Sequence, residues 1–349
     1  MLLTGGLLIW LAITKDYEPT LLLPIGFGAI LANIPSSAAV APGGFLDLLN
    51  RVGIATELFP ILIFIAIGAM CDFAPLLQNP GLLLLGAAAQ FGVFFTLVLA
   101  VLAGFDLREA AAIGIIGAAD GPTSIYVATR FAPRLLGPIT VAAYSYMSLV
   151  PIIQPAVVRA LTTPRERRIR MTLDRRGVSR TTLILFPIVV TLVAGLVAPI
   201  SVPLIGSLMF GNLLRESRVV PTLTEAAQKH LANLVTLLLG ITIGSTMQAE
   251  TFLTPSTLFI LGMGLVAFTA DTAGGVLFAK FLNLFLRRKV NPMIGASGIS
   301  AFPMSARVIA RLASREDPQN YLLMHAVAAN VGGQIASIMA GGLILALVG

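Results

Sequence analysis

The sequence predicts an all-α polytopic membrane protein built from inverted structural repeats, each with an interrupted re-entrant segment, the two meeting near the bilayer midplane. Three observations predict it. Of 349 residues, 57% are hydrophobic and only 11% charged, against roughly 25% charged in a soluble domain. Uncharged apolar stretches long enough to cross a hydrocarbon core of ~30 Å occupy residues 81–105, 137–158, 181–214, 230–249 and 321–349. A series of motifs in the first half returns in the same order in the second.

At the front, residues 1–14 and 20–33 are apolar runs of 14 residues, short for spans, joined by Lys15, Asp16 and Glu18. They read as a hairpin. No basic residue precedes the first run, so a cleavable signal peptide fits poorly. Residues 34–57 carry Pro35, Pro42, Gly43 and Gly44, then FLDLLNRV, an interfacial amphipathic stretch. Residues 181–214 are long enough for two crossings.

Two uncharged segments make poor continuous helices. Residues 110–129 are broken by Gly117, Gly121 and Pro122 around Asp120, and residues 290–306 carry Gly295, Gly298, Ser300 and Pro303. Non-helical backbone at membrane depth persists only where protein or a water-filled cavity surrounds it. Two such breaks imply an internal site. The motifs around them recur: IFIAIGAMCDFAPLLQNP resembles LLLGITIGSTMQAETFLTP, and GAADGPTSIYVATRFA resembles GASGISAFPMSARVIARLA. Gly68 to Gly244 is 176 residues and Gly117 to Gly295 is 178. Five crossings separate the copies, an odd number that turns one upside down relative to the other, the pattern of ion-coupled transporters. The chain divides into an N-terminal hairpin and extracytoplasmic segment (1–56), a first repeat (57–160), a cytoplasmic basic loop with linking helices (161–230) and a second repeat (231–349).

Charge fixes the orientation. Eight of the 23 basic residues fall between Arg159 and Arg180. With that loop in the cytoplasm, 19 basic residues lie inside and only Arg51, Arg108, Arg130 and Arg134 outside. Positive-inside bias explains the net charge of +7 without nucleic acid. None of Lys15, Lys229, Lys280 and Lys289 follows a glycine, which excludes a Walker A loop, and Cys71 is alone, which excludes an internal disulfide.

Asp120 is the first candidate functional residue. An intramembrane carboxylate is costly and marks a site. Beside a Gly-Pro break it offers a hard cation such as Na⁺ its own oxygens, backbone carbonyls and the Thr123 and Ser124 hydroxyls; the alternative is a helix cap at the membrane surface. Asn291, Ser297, Ser300 and Ser305 supply oxygens on the second break, which is expected to converge on Asp120. Arg307 can bind a carboxylate bidentately, whether a substrate's or that of Asp120, or belong with Arg311 and Arg315 to a solvated helix face. Tyr146 is either a donor at the ion site or a packed interior tyrosine. Asp271, Asn330 and His325 read as structural, with a proton path as the alternative.

The chain resembles the membrane-embedded beta subunit of the sodium-pumping biotin-dependent decarboxylases, which act on oxaloacetate, methylmalonyl-CoA, glutaconyl-CoA or malonate. WLAITKDYEP, LLLPIGFGAILANIP, GAMCDFAPLLQNP, AAIGIIGAADGPTSIY, AAYSYMSLVPIIQP, GNLLRES, NPMIGASGISAFPMSARV and LLMHAVAANV carry the resemblance, with an abbreviated region between Asn33 and Glu57. It implies Na⁺ ligation by Asp120, Asn291, Gly295 and Ser300, and catalytic roles for Tyr146 and Arg307, the latter also binding the carboxybiotin. It further implies a homotrimer, biotin-carrier and carboxyltransferase partners, and a small membrane subunit of the gamma or delta type. Carboxybiotin delivered by a partner would lose CO₂ and drive Na⁺ outward across a bacterial-type inner membrane. Consistently, this chain has no Met-Lys pair to carry biotin itself. The competing class is a secondary Na⁺/H⁺ or Na⁺/solute carrier, which shares the repeats and Asp120 but needs no biotinylated partner.

Overall fold

The computed structural model describes residues 1–15, 19–172, 177–252 and 254–349. Asp16 and Glu18 of the expected hairpin link, and Arg175 and Arg176 of the basic loop, lie outside the described residues. Within the described residues all regular structure is helical, and helices of eight or more residues are numbered α1 to α13. Five helical stretches there are long and apolar enough to cross a membrane, and up to seven if two bent pairs each count as one span. The chain is a multi-pass membrane protein.

Helices α1 (Leu2–Lys15) and α2 (Pro19–Ala32) form the expected hairpin. They are in backbone contact at Gly5 and Gly26, where a Cβ on Gly5 would lie 2.6 Å from the Gly26 carbonyl oxygen. FLDLLNRV is helical, as a short helix Phe45–Leu49 that runs into a π-turn Asn50–Ile54. Residues 181–214 are two helices, α8 (Arg180–Val197) and α9 (Val202–Ser217), reversed by a tight turn over Pro199–Ser201. Proline at the start of that turn and in the first turn of α9 ends one helix and begins the next at little cost.

The packing partners are exchanged between the halves. Helix α3 (Leu58–Met70) packs on α9, and α10 (Ala232–Ser245) packs on α2. Gly68 of α3 seats against the Leu208 carbonyl of α9, and Gly244 of α10 seats against the Ile25 carbonyl of α2; a methyl group at either would overlap a carbonyl oxygen. Without a hydrophobic drive between helices in lipid, such close approach of small residues is what holds spans together.

Helices α4 (Phe91–Leu102), α5 (Leu107–Gly114), α6 (Gly121–Phe131) and α7 (Leu136–Leu161) complete the first half. Helices α11 (Pro255–Phe285), α12 (Met304–Glu316) and α13 (Leu323–Val348) complete the second. Both expected breaks are present. From α5 the chain tightens into a 3₁₀ turn Ile115–Ala118, passes through Ala119 in the left-handed region (φ 52°), and restarts at α6 with Asp120 as N-cap. The second break has one helical turn, Met293–Ala296, then irregular backbone until α12. Gly295 packs backbone to backbone on Gly275 of α11, so α11 carries this segment from one side.

Arg130 pairs with Glu57 and Arg134 with Glu109, whereas Arg167–Glu316, Arg170–Asp317 and Lys280–Glu166 tie the basic loop to the second half and Arg215 pairs with Asp72. In the basic loop, burial pushes the Glu166 carboxyl up, but hydrogen bonds from Thr163 and Lys280 outweigh it and hold the group below its ordinary range.

Candidate functional site

Asp120 is buried, 3% exposed, at the first break. Its Oδ1 accepts from the Thr123 N–H at 3.3 Å, and its Oδ2 accepts from the Thr123 hydroxyl and the Ser337 hydroxyl of α13, each at 2.8 Å. Among the described residues no basic side chain pairs with it. A buried carboxylate held only by hydroxyls and one amide keeps its desolvation cost, which a bound cation would offset. Asp120 caps a helix, but inside the protein rather than at its surface.

The second break reaches this site. The Ser300 N–H donates to the Ala118 carbonyl at 3.0 Å, and the Ser300 hydroxyl donates to the Gly333 carbonyl of α13 at 2.9 Å. The Asn330 amide donates to the Ser297 and Ile299 carbonyls at 3.1 and 2.6 Å, and the Gln334 amide donates to the Ser300 carbonyl. Three oxygens in this packing, Ser297 Oγ, Asn330 Oδ1 and Gln334 Oε1, have no hydrogen-bond partner among the described residues. All three side chains are at most 1% exposed. Buried acceptors without donors are rare in native proteins, and an oxygen-only set of this kind suits a hard cation.

Asn291 has other partners. Its amide donates to the Arg167 and Ile169 carbonyls at 2.8 Å each, and its Oδ1 accepts from the Met293 N–H at 3.0 Å. It ties the second break to the basic loop. Gly295 contributes a backbone position against α11. Arg307 is exposed on the first turns of α12 and forms no ion pair among the described residues. Tyr146 faces α11, where it donates to the Leu261 carbonyl and lies against Gly264.

Three residues that matter here were missed or underrated from sequence. Ser337 touches Asp120 directly. Tyr144 lies against Gly121, where a methyl group would fall 2.2 Å from its ring, and its buried hydroxyl has no hydrogen-bond partner among the described residues. Gln154 donates to the Ala296 carbonyl and the Ser305 hydroxyl at 2.7 Å each, supporting the second break from α7 as Gln334 does from α13. Two glutamines inside spans, 180 residues apart, were a usable signal.

An oxygen-lined site shared by two broken helices of a multi-pass protein defines an ion-translocating class. The family of the Na⁺-transporting oxaloacetate decarboxylase beta subunit matches residues 1–348, and the chain belongs to that family. It is 52% identical to the glutaconyl-CoA decarboxylase subunit beta of Acidaminococcus fermentans, covering all of this chain and 92% of the relative. It is 47% identical to the methylmalonyl-CoA decarboxylase subunit beta of Propionigenium modestum, covering all of this chain and 94% of the relative. The oxaloacetate decarboxylase beta chain of Klebsiella pneumoniae is 46% identical over 99% of this chain and 94% of its own length. The protein is therefore the beta subunit of a Na⁺-transporting decarboxylase rather than a stand-alone secondary carrier.

Proposed function

We propose that Na⁺ binds at Asp120 between the two broken segments, and that this chain couples its outward movement to the decarboxylation of carboxybiotin brought by a partner. The observation that carries the reading is the buried Asp120 carboxylate, paired with no cation among the described residues, bonded to Ser337 of α13 and joined to the oxygen-rich second break by the Ala118–Ser300 bond. Ser300 contributes oxygen to the site, Gly295 and Asn291 fix the second segment against α11 and the basic loop, and Tyr146 of α7 seats against α11. Cleavage of an N-carboxylate needs a proton on the ring nitrogen as CO₂ leaves, and a site that excludes bulk water favours it. Arg307, exposed and without an ion pair among the described residues, offers a planar fork to the incoming carboxylate.

The exchanged packing of α3 on α9 and α10 on α2 supports an inverted repeat over residues 57–160 and 231–349, since each repeat then rests on the helix preceding the other. The divisions 1–56 and 161–230 are the connecting parts. Biotin-carrier and carboxyltransferase chains, a small gamma- or delta-type membrane subunit and a homotrimer of this chain complete the assembly, and the acyl substrate is selected by the soluble chains. Purification from the native membrane tests this: the chain should co-elute with an avidin-reactive polypeptide, and CO₂ release should require Na⁺. Na⁺ uptake into vesicles with no avidin-reactive partner and no CO₂ release would overturn it.

A further inference from the structure

A cavity of about 750 Å³ opens beside the basic loop, at the cytoplasmic end of the second broken segment. Its polar wall is Asn79, Arg170, Thr172, Arg288, Lys289 and His325. Another wall residue is Val290, immediately before Asn291, so the cavity leads directly onto the second break. Arg170 is paired with Asp317 at 2.7 Å, whereas Arg288 and Lys289 form no ion pair among the described residues. Positive-inside bias accounts for exposed cations at this face. It does not account for His325, which is 1% exposed and has neither ring nitrogen in a hydrogen bond of normal geometry, although the Thr172 backbone lies against it.

His325 stands in the first turn of α13, a helix of 26 residues whose N-terminus has no side-chain cap. The leading N–H groups of a helix and its dipole favour an anion. Two cations without ion pairs among the described residues, the uncapped start of a long helix and a buried imidazole beside the Thr172 backbone meet at one polar cavity, and the cations and the helix start favour negative charge. An imidazole N–H and a guanidinium match the two oxygens of a carboxylate.

We propose that this cavity is the cytoplasmic entry subsite for the carboxylated ring of the delivered biotin, its N-carboxylate held by Arg288, Lys289 and His325 before it passes to the second break. The inference rests on the function proposed above and names where that anion is first received; Arg307 acts on it afterwards.

The test uses the purified decarboxylase complex with free ¹⁴C-carboxybiotin as probe. Arg288 and Lys289 are exposed, so R288Q/K289Q should fold. It should raise the KM for the probe at least tenfold and abolish the salt dependence of KM, with kcat and the half-saturating Na⁺ concentration unchanged. His325→Gln should raise KM in the same sense. An unchanged KM that still rises with salt in R288Q/K289Q overturns the subsite, as does a fall in kcat at constant KM, which would place these cations in the chemistry. If the wild-type complex releases no Na⁺-dependent CO₂ from the probe, the underlying function fails and the subsite with it, an outcome distinct from a selective loss in the variants.

Discussion

Asp120→Asn separates charge from shape at the proposed Na⁺ site. The amide has the size of the carboxylate, and its Oδ1 can still accept from the Thr123 N–H. The Thr123 and Ser337 hydroxyls that now donate to Oδ2 can rotate to accept from the new NH₂ group. Replacing charge-assisted bonds by neutral ones costs about 1 kcal/mol each, and the relief of a buried charge offsets part of it. The fold should therefore survive. The loss falls on the cation: a unit charge at ~4 Å contributes about 4 kcal/mol at an effective dielectric of ~20, which is roughly a thousandfold in affinity. In proteoliposomes containing the purified complex, the half-saturating Na⁺ concentration for CO₂ release should rise by about three orders of magnitude and ²²Na⁺ accumulation should vanish, while thermal unfolding stays within a few degrees of wild type. A folded D120N complex with wild-type Na⁺ dependence would refute the assignment of Asp120 as a ligand.

Ser337→Ala removes one of the two hydroxyl donors to Asp120 Oδ2; a bond to a charged group contributes about 1.5–3 kcal/mol, so a shift of roughly ten- to hundredfold in half-saturating Na⁺ is expected, and no shift would detach α13 from the site. Asn291→Ala deletes both bonds to the Arg167 and Ile169 carbonyls; limited proteolysis should cut the loop around residues 167–171 faster, and an unchanged cleavage rate alongside an altered Na⁺ dependence would make Asn291 a ligand instead of a tether. Arg307→Lys keeps the charge and loses the planar fork, so carboxybiotin decarboxylation should fall at least tenfold with Na⁺ binding intact; a wild-type rate would return Arg307 to a solvated face.

The broken segments were legible because Gly, Pro and a carboxylate in an uncharged stretch violate what a continuous span requires, whatever the rest of the chain does. The α8–α9 reversal was legible from length alone. The exchanged seating of Gly68 on α9 and Gly244 on α10's partner α2 was not, because contacts between residues 140 or more positions apart leave no periodicity in either sequence. The tyrosines show a different limit. Tyr144 and Tyr146 are two residues apart, about 200° around a helix, so they face opposite ways; Tyr144 lies against the break at Gly121 and Tyr146 against α11. Resemblance pointed to Tyr146, and only coordinates show that its near neighbour is the tyrosine beside Asp120.

Helix α13 explains why one site can involve both breaks. Asn330, Gln334 and Ser337 recur at spacings of four and three, with Gly333 and Gly341 beside them, which makes one stripe along the helix. The stripe is ordered by depth. Asn330 holds the Ser297 and Ile299 carbonyls, Gly333 and Gln334 take up Ser300, Ser337 reaches Asp120, and Gly341 lets Thr123 of the first break approach. Going along α13 from its N-terminal end therefore passes from the second break to the first. The freed backbone groups of each break, which lipid could not satisfy, find partners on the same rigid element. Displacing α13 by even one residue along its axis would uncouple Ser300 from Gln334 and Asp120 from Ser337 together, so a change sensed at the second break has a direct mechanical route to the carboxylate at the first.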